Sequence, residues 1–159
     1  MPNIAIVPLH GSFIAPSFER ATVGDAMHPG ILTCDRDASR AEIAWIMAAQ
    51  RVHCVAVMAL AQNGSGEPYV WGIVSDLDLL GAAVDPTLEP TAHDLASQPI
   101  ISVERTAPLR EAAGLMHEHR VSHLVVTEAG QPVGILSSLD IAQILAADAV
   151  AWEYMATPE

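Results

Sequence analysis

The chain's 159 residues fall within the usual size of one domain, and 51% apolar against 16% charged residues is enough to bury a core, which excludes a long disordered chain. Nineteen acidic residues against seven basic ones, all of them Arg, leave a formal charge of −12. Such a chain repels nucleic-acid phosphates and has no polybasic patch for an anionic membrane, so neither partner is expected.

The first 20 residues read as an extension. Met1–Phe18 is uncharged and fairly apolar, but it has no basic start and is broken by Pro2, Pro8 and Pro16, so a signal peptide is not expected. Ile31–Cys34 reads as a short strand, and Ser39–Gln50 as a helix with Ile43, Ile46 and Met47 on one face. Cys54–Ala59 and Tyr69–Ser75 are apolar and β-branched, so strands, and a helix follows at Asp76–Ala83. The pattern then recurs: strand Ile100–Val103, helix Pro108–His119, strands Leu124–Thr127 and Pro132–Ser137, helix Ser138–Ala147. Apolar runs that do not alternate predict sheets covered on both faces. Ile43–Leu60 is apolar but interrupted by Arg51 and His53, and no window gives about 20 uninterrupted apolar residues for a membrane span. Cys34 and Cys54 form no CxxC pair and read as free, buried thiols of a cytoplasmic protein.

The recurrence is residue by residue. An offset of 69 lays Asp25–Val57 over Asp94–Val126, with Arg51-Val52 on Arg120-Val121. An offset of 62 lays Gly72-Ile73-Val74-Ser75 over Gly134-Ile135-Leu136-Ser137, and Leu77 and Asp78 over Leu139 and Asp140. The difference is a seven-residue insertion in the first copy, placed in the polar turn Gln62–Pro68. Two copies of about 60 residues predict a duplicated unit with a pseudo-two-fold axis.

Asp78 and Asp140 each stand three residues after a serine, where a strand feeds a helix. Ser-x-x-Asp before an apolar helix is a capping box with an acid at its fourth position. The same carboxylate, held ionised by the helix dipole, can accept both hydroxyls of a ribose, with the serine beside it on ribose or phosphate. Both readings stand at this point. Gly72 and Gly134 leave room for close approach of backbone or ligand. His117, His119 and His123, with His28 and His53, form a second cluster, but a helix end between His119 and His123 removes the i, i+4 geometry of a zinc site, so no metal is expected.

The ordered set of motifs resembles the cystathionine-β-synthase (CBS) domain, present as a tandem pair: Asp25-Ala26-Met27 before Ile31-Leu32-Thr33, the helix Leu109–Met116, Val121–Val126, and the closing runs 72–78 and 134–140. The resemblance implies an α/β (α+β) duplicated CBS fold, two small sheets across a pseudo-two-fold axis with flanking helices. It divides the chain into an extension (1–20), CBS domain 1 (21–84), CBS domain 2 (91–148) and a C-terminal tail (149–159). It implies a non-catalytic regulatory module that holds an adenosyl ligand (AMP-like, adenosine or S-adenosylmethionine) between the domains, with no required cofactor, and that modulates a separate partner protein as a homodimer. By the same resemblance the clefts take Ser137, Asp140, Ile135, Ser122, His123 and Leu32, with His53, Cys54, Ser75, Asp78 and Ile73. The resemblance makes His123 the reason to expect tighter binding around Ser137 and Asp140, facing its own copy's motif. Many nucleotide-binding repeats of that family carry Arg directly before the Asp, where this chain has Leu77 and Leu139, which argues against a polyphosphate; Arg36 and Arg105, after the first strands, are candidate substitutes. A dimeric scaffold with degenerate clefts is the competing reading, and a metal-binding protein a more distant one.

Overall fold

The computed structural model describes residues 16–85 and 87–156, with side chains to Ala149, so the N-terminal Pro2 and Pro8 and the tail residues Trp152 and Tyr154 lie outside what can be said of side chains. Each copy is built from a one-turn helix (α1, Val23–Ala26; α4, Ala92–Leu95), a short strand (β2, Thr33–Asp35; β5, Ser102–Glu104), a helix (α2, Arg40–Gln50; α5, Leu109–His119), a hairpin, and a closing helix. The hairpins are β3 (Cys54–Leu60) with β4 (Pro68–Ser75), and β6 (His123–Glu128) with β7 (Gln131–Ser137). The closing helices are α3 (Asp76–Ala83) and α6 (Ser138–Ala156), and one further two-residue strand, β1 (His28–Pro29), follows α1.

Local chemistry explains the boundaries. Ser39 caps α2 through a reciprocal box with Glu42, and Pro108 stands just ahead of α5, where its missing N–H costs nothing. Both long helices stop on an arginine in the left-handed region, Arg51 (φ 54°) and Arg120 (φ 53°), whose N–H bonds back to a methionine carbonyl. The insertion expected in the first hairpin is present: residues 61–67 join β3 to β4 where the second copy turns on Ala129 and Gly130, both at positive φ, and β3 and β4 are each one residue longer than β6 and β7.

The two sheets run β1-β7-β6-β5 and β2-β3-β4, each with one parallel and otherwise antiparallel pairing. Sequence copies and packing units are not the same. The lead-in of copy 1 packs on copy 2: Val23 and Gly24 N–H donate to the Ala107 and Arg105 carbonyls, Leu109 N–H to Ala21, and Ala21 and Val23 join the core of Leu109, Leu124 and Leu136. The lead-in of copy 2 does the reverse. Ala92 and His93 N–H donate to the Ala38 and Arg36 carbonyls, and Ala92 joins the core of Ile43, Val55 and Val74. Each hydrophobic core borrows its lead-in from the other copy, so neither core is confined to the stretch 21–84 or 91–148. The tail beginning at residue 149 is not a separate segment either, because α6 runs unbroken to Ala156.

Gly72 and Gly134 serve this exchange. A Cβ on Gly134 would overlap the His28 carbonyl and the Met27 methyl, and one on Gly72 would stand 2.8 Å from Ala96 Cβ. These glycines admit the other copy's lead-in rather than a ligand.

Candidate functional site

The exchange brings the closing motif of copy 1 against the lead-in and second strand of copy 2. A cleft of about 170 Å³ opens there. Its walls are Ile73, Ser75, Leu77 and Asp78 from β4 and α3, Ser97, Pro99, Ile100 and Ile101 ahead of β5, and Arg120, Val121, Ser122 and His123 from the end of α5 to the start of β6.

Asp78 sits in the first turn of α3. Its Oδ2 accepts from Ser75 N–H (2.7 Å) and Ser75 Oγ (2.8 Å), while Asp78 N–H donates to Ser75 Oγ (3.3 Å). The capping reading is therefore realised. Both bonds to the carboxylate of the half-buried Asp78 fall on Oδ2, and among the described residues none reaches Oδ1. Ile73, Ile100, Ile101 and Val121 supply an apolar wall suited to a flat heterocycle, and Arg120 and the His123 imidazole complete the lining.

His123 is where the sequence expectation needs correction. The ladder does set it opposite Ser137, but the residue lines the cleft of Ser75 and Asp78. The cause is the meeting of strand ends at the pseudo-two-fold axis, which puts the N-terminal end of β6 against the other copy's motif. Burial holds the His123 imidazole below its ordinary range, partly offset by the Asp76 carboxylate and opposed by nothing larger. Ser122 Oγ is 2.9 Å from its Nδ1.

Nothing in the local sequence marks Arg120 as a cleft residue. No Arg stands beside the Asp, and the cleft's arginine comes instead from the end of the other copy's helix. Arg36 and Arg105 do not replace it. Both follow the far ends of their strands, where Arg36 lies over the Trp71 ring (4.5 Å), itself stacked on His93, and Arg105 pairs with Glu128.

The remaining candidates belong to the second motif. Asp140 Oδ2 accepts from Ser137 N–H (2.7 Å) and Oγ (2.8 Å), and His28 Nδ1 stands 3.1 Å from Oδ1. Asp140 is 3% exposed. Ile135 lies in the ladder between His28 and Val125, and Leu32 passes its carbonyl to Ala56 N–H. His53 is exposed, and its Nδ1 is 2.8 Å from Asp76 Oδ2, a bond that holds the Asp76 carboxyl below its usual range. Cys54 is buried, and burial with the Asp76 and Asp140 charges pushes its thiol up to about 12; Cys34 rises to about 11, also mainly by burial. Both cysteines are free, as expected. Among the described residues no helix is long and apolar enough to cross a membrane.

Two adjacent segments, residues 23–85 and 92–147, match the model of the CBS domain. The chain belongs to the CBS domain family. An uncharacterized protein of Methanopyrus kandleri is 29% identical over 127 residues, which are 77% of this chain and 62% of that protein, so the chain spans less than two thirds of that relative. A CBS domain pair solved with 5′-methylthioadenosine and S-adenosyl-L-methionine superposes with a TM-score of 0.68 at 19% identity, over 80% of this chain and 98% of that one. A CBS protein solved with AMP superposes with a TM-score of 0.60 at 25% identity, over 82% and 98% of the two chains. The fold is thus that of a tandem CBS pair.

Proposed function

We propose that this CBS pair is a non-catalytic sensor that takes an adenosyl ligand in the cleft of Ser75 and Asp78 and passes the occupied state to a separate partner protein. The observation that carries the reading is the composition of that one cleft. A carboxylate hydrogen-bonded through one oxygen stands in the cleft, apolar isoleucines flank it, and Arg120 and a protonatable His123 line the same walls. The adenosyl compounds bound by the two solved CBS proteins support the ligand class.

The cleft draws its walls from both copies, so a ligand would tie α3 of copy 1 to the lead-in of copy 2. That coupling is the physical basis for signalling: a ligand shifts the arrangement only by its differential affinity for the two states. Ser122 Oγ and His123 Nδ1 are within hydrogen-bond distance there, but among the described residues no third group orients the imidazole from its other nitrogen, and the reading assigns no reaction to the pair. With Leu77 in place of an arginine and a chain charge of −12, the site favours AMP, adenosine or S-adenosylmethionine over ATP. We place the protein in the cytoplasm, consistent with two free thiols and no nucleic-acid or membrane chemistry in the sequence.

The alternative, a dimeric scaffold with degenerate clefts, is favoured by the apolar stripe Leu77, Leu80 and Val84 left exposed along and just past α3. A thermal-shift panel of AMP, ADP, ATP, adenosine and S-adenosylmethionine separates the two. At 100 times its dissociation constant a ligand stabilises the fold by about 2.7 kcal/mol, or roughly 5–10 °C in a chain of this size. A panel with no shift for any adenosyl compound favours the scaffold.

A further inference from the structure

The pseudo-symmetry makes the two motifs look equivalent, yet the structure treats them differently at one residue. The offset that aligns the copies sets His28 opposite Ser97. Their backbones do the same work. His28 pairs with Ile135 in the β1–β7 ladder, and Ser97 bridges to Ile73, its N–H donating to the Ile73 carbonyl at 2.9 Å. Only the side chains differ. The His28 imidazole reaches Asp140 Oδ1 at 3.1 Å, while Oδ2 is held by Ser137. Ser97 has no comparable reach, and Asp78 is engaged through Oδ2 alone.

We propose that His28 occupies the ribose position of the Ser137/Asp140 motif, so that each chain binds one adenosyl ligand, at Ser75/Asp78, and that exchanging the imidazole for the serine found in the other copy opens the second site. The inference rests on the reading that these clefts take adenosyl ligands. A ribose presents two hydroxyl donors and needs unoccupied lone pairs on the carboxylate. Asp78 offers them on Oδ1. Asp140 is 3% exposed with both oxygens contacted, so a ribose would first have to displace His28 and then reach a carboxylate already withdrawn from solvent. His28 itself is 75% exposed and holds β1 through backbone atoms, so its side chain is free to be exchanged without removing the strand.

Adenosine is the probe of choice, because it needs no cation and so reads the ribose and base contacts alone. Calorimetric stoichiometry is measured for wild type, His28→Ser, Asp78→Ala and the double variant His28→Ser/Asp78→Ala. The expected result is one adenosine per chain in wild type, two in His28→Ser, at least tenfold weaker binding in Asp78→Ala, and one restored site in the double variant. Two sites in wild type, or a single site persisting in His28→Ser, overturns the assignment of His28. If neither wild type nor His28→Ser binds adenosine, AMP or S-adenosylmethionine, the functional reading itself falls, and the role of His28 with it.

Discussion

Asp78 and Asp140 stand in the same three-residue relation to a serine, and both close a capping box, but their surroundings separate them. Asp140 is buried with Ser137 on one oxygen and His28 on the other. Removing it leaves the Ser137 N–H without its acceptor in the interior, whereas removing the half-buried Asp78 lets water take over. Asp140→Ala should therefore lower stability by about 2–3 kcal/mol and Asp78→Ala by only about 1 kcal/mol, read from urea midpoints at constant slope. Equal losses would show that burial does not distinguish them. His123 gives a second residue-scale prediction. Its imidazole is held below the ordinary range by burial, so it is largely neutral near pH 7. A phosphate beside it raises that value, so binding AMP takes up a proton, and AMP affinity strengthens as pH falls from 8 toward 6. Adenosine affinity stays flat, and His123→Asn abolishes the proton uptake. Calorimetry in buffers of different ionisation enthalpy reads this directly. On the stability side the sign is opposite: the neutral imidazole contributes fully above its unfolded pKa, and that contribution is lost as pH falls through the lowered folded value. The serines and carboxylates of the site were legible in the sequence because their spacing is local. The cation was not, because Arg120 reaches the Asp78 cleft only through the crossing of two copies that are 62 to 69 residues apart.

At the scale of elements, hydrophobic periodicity and turn chemistry place the strands and long helices within a residue or two, apart from α6, which runs nine residues past its expected end at Ala147 to Ala156. What it could not show was α1, β1 and α4. One-turn helices have no period to read, and a two-residue strand is defined only by its partner. Their docking on the opposite copy is a tertiary fact, and Gly72 and Gly134 are its trace in the sequence. The consequence is testable. Gly134→Ala drives a methyl into the His28 carbonyl, which is backbone and cannot swing aside, so it should cost at least about 2 kcal/mol and release β1 from β7. Gly114→Ala, on α5 with open space around it, should instead be neutral or stabilising by up to about 1 kcal/mol. Hydrogen exchange at the Gly30 amide, which donates to Val133, reports whether the lead-in has come loose.

For the whole molecule, the two cores interlock through the exchanged lead-ins, so the copies should unfold in a single transition rather than two. Leu139 and Leu145 are exposed on α6, and Leu77, Leu80 and Val84 form an exposed apolar stripe along and just past α3, more than a surface meant to face water needs. We expect this face to close against a second copy. Light scattering at micromolar concentration should give a dimer mass, and Leu80→Asp should return it to the monomer. The account depends most on where the ligand sits. Calorimetry of AMP with wild type, Asp78→Ala and Asp140→Ala decides that point. Loss of a charge-assisted bond at Asp78 should cost about 1.5–3 kcal/mol, a ten- to hundredfold weakening. Asp140→Ala, in folded protein, should bind AMP within about threefold of wild type. Affinity unchanged by Asp78→Ala, or lost chiefly in folded Asp140→Ala, would contradict the account.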